Sequence, residues 1–338
     1  MRIHKGQRAI ALAAAAITTV ALAACTGAPA PTPVESSSTP TSESELTPAT
    51  IRVIAAPVFN EPLYIAEEQG YFADEALTVE IVKGGTAAEN AAQLVAGDAE
   101  IAMSSGVALI TGAVRGLTIR AILGGTSTDP AVVSSGLVVT ADSDVKSYAD
   151  LGGKTIAVQG LNSNPHLATL LAAKHAGADA STLTFVDLPL PNINNAVTQG
   201  DVNVGYPTGS FYGQAIDAGL VSLGSPTGDA LAWAPNVIYV ADDAYVSANE
   251  DVVKRFQAAM IKASELARKD NFAAVRAIQK KNTQTDPAVI DAAVLSGYQT
   301  DIYESGFRTM LEGMLEFNFI DAPVAFEDVV SPLAPIAP

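Results

Sequence analysis

Apolar residues in this chain fall into short runs separated by polar, glycine-rich breaks. Ile51–Ala56 is a continuous apolar run, and Leu77–Val82 places Val79 and Ile81 on one face. Glu100–Met103, Thr118–Leu123, Gly136–Thr140, Lys154–Val158, Leu183–Leu188 and Asn236–Ala241 are comparable segments, each predicting a strand. Between them, Leu63–Gln69, Ala87–Ala96, Asn162–His175 and Asp251–Lys269 carry helical spacing, and Pro189–Asn195 reads as a loop feeding a helix toward Gln199. Strands alternating with helices of about ten residues predict an α/β fold with mostly parallel sheets covered on both faces.

The pattern occurs twice. Ala96–Leu117 (AGDAEIAMSSGVALITGAVRGL) has a counterpart in Gly200–Leu220 (GDVNVGYPTGSFYGQAIDAGL). Gly97 and Gly200, Asp98 and Asp201, Gly106 and Gly209, Gly116 and Gly219, and Leu117 and Leu220 all stand 103 residues apart, as do Pro62 and Pro165. Two lobes of similar plan follow: lobe 1 from 51–135 and 240–338, lobe 2 from 136–239. The two crossings between them form a hinge that suits closure around a ligand.

Open α/β sheets bind ligands beyond the carboxyl ends of their strands. The candidate ligand-binding residues are therefore those in the loops after strands. Ser104 and Ser105 sit at a helix start, where backbone N–H groups favour an anion. Asn60, Thr86, Thr126, Asn162, Ser163, Asn192 and Thr208 stand in comparable loops, and Phe59 and Tyr206 are placed to stack on a ring. Against this, Ser, Thr and Asn in such places also serve as helix caps and turn residues. His166 lies near a helix start within reach of the same space, His175 late in a helix facing solvent, and Trp233 where it would close a lobe surface.

The first residues change the picture of where the chain resides. Arg2, Lys5 and Arg8 precede the uncharged apolar run Ala9–Ala24, which is shorter than the roughly 20 residues of a spanning helix. Residues 1–24 read as a signal peptide, and Leu22-Ala23-Ala24-Cys25 resembles the lipobox of bacterial lipoproteins. Cys25, the only cysteine in the chain, is then the lipidated residue, anchoring the protein to the extracytoplasmic face of the cell membrane. Residues 25–50, rich in Pro, Ser, Thr and Glu, read as a tether unable to bury enough apolar surface to order itself.

The formal charge of the chain is −17, and loss of the leader's three cations takes it to about −20. That excludes nucleic acid as a natural partner, though a pocket lined by N–H groups can still hold an anion. Three scattered histidines and one cysteine supply no metal cluster. Neither a Gly-x-Ser-x-Gly elbow nor a Gly-rich lysine loop is present. The expectation is a binding protein, not an enzyme, working as a monomer without a cofactor.

Three stretches carry a family resemblance: EPLYIAEEQGYFADEALTVEIVKGG from Glu61, QLVAGDAEIAMSS from Gln93, and DLGGKTIAVQGLNSNPH from Asp150. They resemble the solute-binding proteins of ABC importers, in the nitrate/sulfonate/taurine branch that also contains binders of thiamine-pyrimidine precursors. The resemblance implies a two-lobed type II periplasmic-binding-protein fold and delivery of a small polar ligand to a permease. A sulfonate-like or other small organic anion is favoured. The alternatives are a neutral heterocycle of thiamine-pyrimidine or riboflavin type, and a ligand-sensing lipoprotein with no transport role. Where the family often carries an acidic or aromatic residue before Pro-Phe, this chain has Tyr206-Pro207-Thr208-Gly209-Ser210-Phe211, so an ammonium group would find no carboxylate there. The related pyrimidine synthase relies on a cysteine-rich motif that is missing from this sequence.

Overall fold

Ten strands form two five-stranded sheets of the same design. The computed structural model describes residues 46–338 except 57, 58, 284, 285 and 296. Cys25, the leader and most of the tether lie outside the described residues. The first sheet contains β1 (Ala49–Ala55), β2 (Leu77–Lys83), β3 (Ile101–Ser104), β4 (Ile119–Ser127) and β10 (Pro235–Asp242) in the order β2-β1-β3-β10-β4. The second contains β5 (Leu137–Val139), β6 (Thr155–Val158), β7 (Thr184–Asp187), β8 (Val204–Gly205) and β9 (Val221–Gly224) in the order β7-β6-β8-β5-β9. In each sheet one returning strand, β10 or β5, runs antiparallel to its neighbours. A short parallel pair, β11 (Ile302–Tyr303) and β12 (Ile336–Ala337), ties down the end of the chain.

The 103-residue repeat is realised in three dimensions. The helix Glu61–Glu68 matches Asn164–His175, Ala87–Val95 matches Leu190–Gln199, and Gly106–Val114 matches Ser210–Asp217. Gly97 and Gly200 take the same left-handed conformation, with φ of 84° and 76°. A side chain would be strained there, so glycine is what lets each helix turn sharply into the next strand.

Two apolar layers cover the faces of the first sheet. One packs Val53, Met103 and Tyr239 against Phe256 and Met260 of the helix Glu250–Ala267. The other joins Ile54, Ala102 and Ile238 to Ile110, Met310 and Met314. This second layer continues into Leu167 and Leu171 of the Asn164 helix, so the helix Glu304–Glu316 packs against elements that flank both sheets.

Local structure departs from the sequence pattern at three points. β1 begins at Ala49, which pairs with Leu77, so the last two residues of the expected tether belong to the sheet. β4 runs on through Gly124, Gly125 and Thr126 because β10 pairs with it as far as Ser127. Gly124 permits this: a Cβ there would lie 2.6 Å from the Asp301 carbonyl oxygen, which only a strand glycine accommodates. Third, the expected loop at 189–195 is helical from Leu190, since Pro189 and Pro191 fix backbone angles that suit a helix start.

Candidate functional site

The course of the chain sets where a site forms. β4 leaves the first sheet at its carboxyl end and feeds β5, whose antiparallel pairing puts its start beside the carboxyl ends of β8 and β6. The return segment leads from β9 into β10, which starts opposite Ser127. The two crossings are bonded to one another, Thr128 N–H to the Ala234 carbonyl at 3.1 Å and Trp233 N–H to the Thr128 carbonyl at 2.7 Å. Both sheets therefore turn the carboxyl ends of their parallel strands toward the space beside this hinge.

The sequence-chosen residues divide sharply in this frame. Thr86 is a helix cap: its hydroxyl accepts from Glu89 N–H at 3.3 Å, and its own N–H and hydroxyl donate to the Glu89 carboxylate at 2.7 and 2.9 Å, holding that carboxyl below its ordinary range. Ser105 caps the Gly106 helix by accepting from Ala108 N–H at 3.2 Å, and the buried Ser104 donates to the Ala87 carbonyl at 3.3 Å. Both serines thus stand where a ligand-binding loop is expected, with their oxygens engaged within the lobe. Asn60 donates to the Ala56 carbonyl at 2.7 Å and leaves the Glu61 helix without a side-chain cap. Phe59, half-buried with φ of +59°, packs at the edge of the core. Asn162 is exposed, and its N–H donates to Nδ1 of His166 at 3.0 Å. Ser163 donates to the Gly160 carbonyl at 2.8 Å and does not cap the Asn164 helix. Thr208 pairs with Ser135 through backbone, next to the first crossing.

Two positions lie elsewhere. Tyr206 is 1% exposed and its hydroxyl lies 2.9 Å from that of Thr227, so it is a core residue with no ring face free to stack on a ligand. Burial raises its phenol above the ordinary value. Asn192 sits in the first turn of the Leu190 helix and lines a hollow with Val186, Leu188 and Gln199 beside edge strand β7. His166 is wedged between Phe185 and Phe319, with ring centroids at 4.0 and 4.9 Å. Trp233 packs against Tyr303 beside the hinge with its ring tilted by 31°, and His175 is exposed.

Polar side chains that the sequence did not single out organise the strand ends. Asn90 is fully buried, accepts from Gly85 N–H at 2.8 Å and donates to the Met103 carbonyl at 2.9 Å, joining the loop after β2 to β3. An asparagine on the apolar face of the Ala87 helix, beside the buried Ala91 and Leu94, was the available signal. Asn164 donates across the hinge side to the Pro235 carbonyl at 3.2 Å and to Asn236 Oδ1 at 3.4 Å, and Asn236 donates to Thr126 at 3.4 Å. Among the described residues, five helices that follow strands of the two five-stranded sheets lack a side-chain cap: those starting at Glu61, Asn164, Leu190, Ser210 and Pro226. Helix starts favour an anion, but the donors here are few: Pro62 and Pro165 have no N–H, and Leu63, Phe211 and Tyr212 N–H donate to the Asn60, Thr208 and Gly209 carbonyls. Among the described residues no group of three or more His, Cys, Asp or Glu is placed to hold a metal, and no helix is long and apolar enough to cross a membrane.

Comparison with known proteins accords with this geometry. A family model described as NMT1/THI5 like matches residues 60–274. The Bacillus subtilis (strain 168) protein YtlA, named as a candidate binding protein, is 24% identical over 267 residues, covering 75% of this chain and 76% of its own. An Aspergillus parasiticus 4-amino-5-hydroxymethyl-2-methylpyrimidine phosphate synthase is 22% identical over 223 residues, 62% of this chain and 63% of its own. Among solved structures, the periplasmic aliphatic sulphonate-binding protein SsuA of Escherichia coli superposes with a TM-score of 0.73 at 16% identity, over 86% of this chain and 95% of its own. At that identity the likeness is one of fold: the two-lobed periplasmic-binding-protein fold. Fold alone does not fix a ligand.

Proposed function

The chain belongs to the NMT1/THI5-like family, and from that premise we propose that it is an extracytoplasmic solute-binding lipoprotein serving an ABC importer. It captures a small organic anion, sulfonate-like in character, between two lobes and presents the closed form to a permease. The observation that carries this reading is the pairing of two sheets of equivalent strand order, both turning uncapped helix starts toward the space beside one hinge. The proposed lobes are 51–135 with 240–338, and 136–239. β10 lies whole in the first sheet, so within this proposal residues 235–239 are reassigned from lobe 2 to lobe 1.

The proposed contacts are Phe59, Asn60, Ser105, Thr126, Asn162, Ser163 and Thr208, with the dipoles of the helix starts at the strand ends providing the positive potential. These loops carry no arginine and no lysine except Lys83, so the anion relies on N–H groups and hydroxyls. Binding stabilises closure only by the difference in the ligand's affinity for the closed and open forms. Cys25 is proposed as the lipid-bearing residue.

A thermal-shift panel of alkanesulfonates, taurine, nitrate, bicarbonate, aminopyrimidines and riboflavin tests the proposal. A ligand at 100 times its Kd adds about 2.7 kcal/mol, enough to move the melting transition visibly. A shift with sulfonates supports the reading, a shift with ring compounds alone replaces it with heterocycle capture, and no shift overturns it.

A further inference from the structure

Asn164 carries an acceptor with nothing to accept. The residue is 4% exposed, and its side-chain oxygen has no hydrogen-bond partner. The orientation of the amide is fixed by chemistry: the other terminus faces the Pro235 carbonyl at 3.2 Å, and only the nitrogen can donate there. The equivalent helix start in the other lobe behaves differently. Both carboxylate oxygens of Glu61 are satisfied, by Gln279 at 2.7 Å and Tyr298 at 2.8 Å. The unpaired oxygen is thus particular to the second lobe and not a consequence of this type of helix start.

Its position matters. Asn164 follows β6 at the carboxyl end of the second sheet and touches the first residues of β10 in the other sheet, so it stands where the two sets of strand ends meet. A buried carbonyl oxygen without a donor is costly, and a site that holds one discriminates strongly in favour of a molecule that supplies the missing hydrogen. The nearby Ser163 hydroxyl is committed to Gly160 and does not fill the role.

We infer that Asn164 is a specificity-determining residue and that the ligand carries an N–H or O–H donor directed at its Oδ1. Resting on the proposed capture between the lobes, this narrows the ligand class to an organic anion bearing an amine, amide or hydroxyl. A pure acceptor such as nitrate or an unsubstituted alkanesulfonate would set oxygen lone pairs or a methyl group against the carbonyl.

Calorimetric titration of the purified chain with ethanesulfonate, 2-hydroxyethanesulfonate and taurine tests the inference, because the three share a headgroup and differ in the donor. The pair 4-amino-2-methylpyrimidine and 2,4-dimethylpyrimidine repeats the comparison for a ring. The expected result is at least tenfold tighter binding of the donor-bearing member of a set, with the preference abolished in Asn164→Ala and binding of the donor-free probe unchanged. Equal affinities within a set overturn the inference while leaving capture between the lobes intact. Uniform weakening of every probe in Asn164→Ala marks a structural role and also overturns it. Binding of none of the five probes removes the capture reading and this inference together.

Discussion

Glu61 and Asn164 are the same position of the two lobes: each opens its helix, each is followed by proline, each is more than nine-tenths buried, and they stand 103 residues apart. Glu61 is held within its own sheet's surroundings, by Gln279 and Tyr298, and burial, reinforced by the Glu61 charge, pushes the Tyr298 phenol well above the ordinary value. Asn164 reaches across to Pro235. Equivalent backbone positions have thus diverged, one pinning the carboxy-terminal segment and the other bridging the strand ends. Tyr298→Phe removes one donor from a buried carboxylate and is expected to cost about 1–3 kcal/mol, read by urea unfolding. An unchanged midpoint would show that this hydrogen bond does not contribute.

Asn90 joins the loop after β2 to strand β3, while its counterpart 103 residues later is the buried apolar Ile193. Asn90→Leu leaves Gly85 N–H and the Met103 carbonyl unpaired and is expected to destabilise by about 2–4 kcal/mol. Urea unfolding checks the magnitude, and hydrogen exchange at Gly85 reports whether the loop after β2 has loosened.

Gly306, in the helix Glu304–Glu316, lies against the hinge segment. A Cβ there would come within 2.3 Å of the Trp233 carbonyl carbon and oxygen, which are backbone atoms unable to step aside. Alanine in place of a helical glycine ordinarily stabilises by about 0.5–1 kcal/mol. Gly306→Ala is expected to reverse that sign and cost about 1–3 kcal/mol through overpacking. A raised melting temperature would contradict the packing described.

His166 gives the fold a pH dependence. Burial between aromatic rings lowers its imidazole from 6.5 to about 4. The unfolded chain therefore takes up a proton before the folded one, so this contribution is complete above pH 6.5 and is lost as pH falls from 6.5 toward 4. The slope stays below one proton's worth, about 1.4 kcal/mol per pH unit, because the ring retains some exposure. The stability difference between wild type and His166→Phe, measured by urea unfolding, should be flat above pH 6.5 and shift in favour of the variant below it. A constant difference across the range would exclude the effect.

Thr86 and Ser105 test the division between capping and binding. Thr86→Ala is expected to cost about 1 kcal/mol through loss of its capping box without altering ligand affinity. Ser105→Ala is expected to cost a similar amount and to weaken binding of a sulfonate as well. Titration alongside thermal melts separates the two effects, and loss of affinity in Thr86→Ala would place that hydroxyl in the site.

Much of the architecture was legible in the sequence because it is local. Apolar periodicity and helix-ending glycines at Gly97, Gly116, Gly200 and Gly219 depend on neighbours a few residues away, so they determined the strands, the helices and the 103-residue repeat. The same local logic placed Asn60, Ser105, Asn162 and Ser163 after strand ends. Only the tertiary structure decided how far polar groups were already engaged. Tyr206 reads as a loop aromatic until Thr227, 21 residues on, takes its hydroxyl. Asn192 reads as a loop residue until Pro189 and Pro191 start a helix beneath it. Asn164 reads as an ordinary residue of a helix start, because its amide donates to Pro235 and Asn236, more than seventy residues away, and only that pairing leaves its oxygen without a donor. Hydrophobic spacing is written into the chain, whereas the satisfaction of a buried polar atom depends on which distant backbone the fold brings beside it.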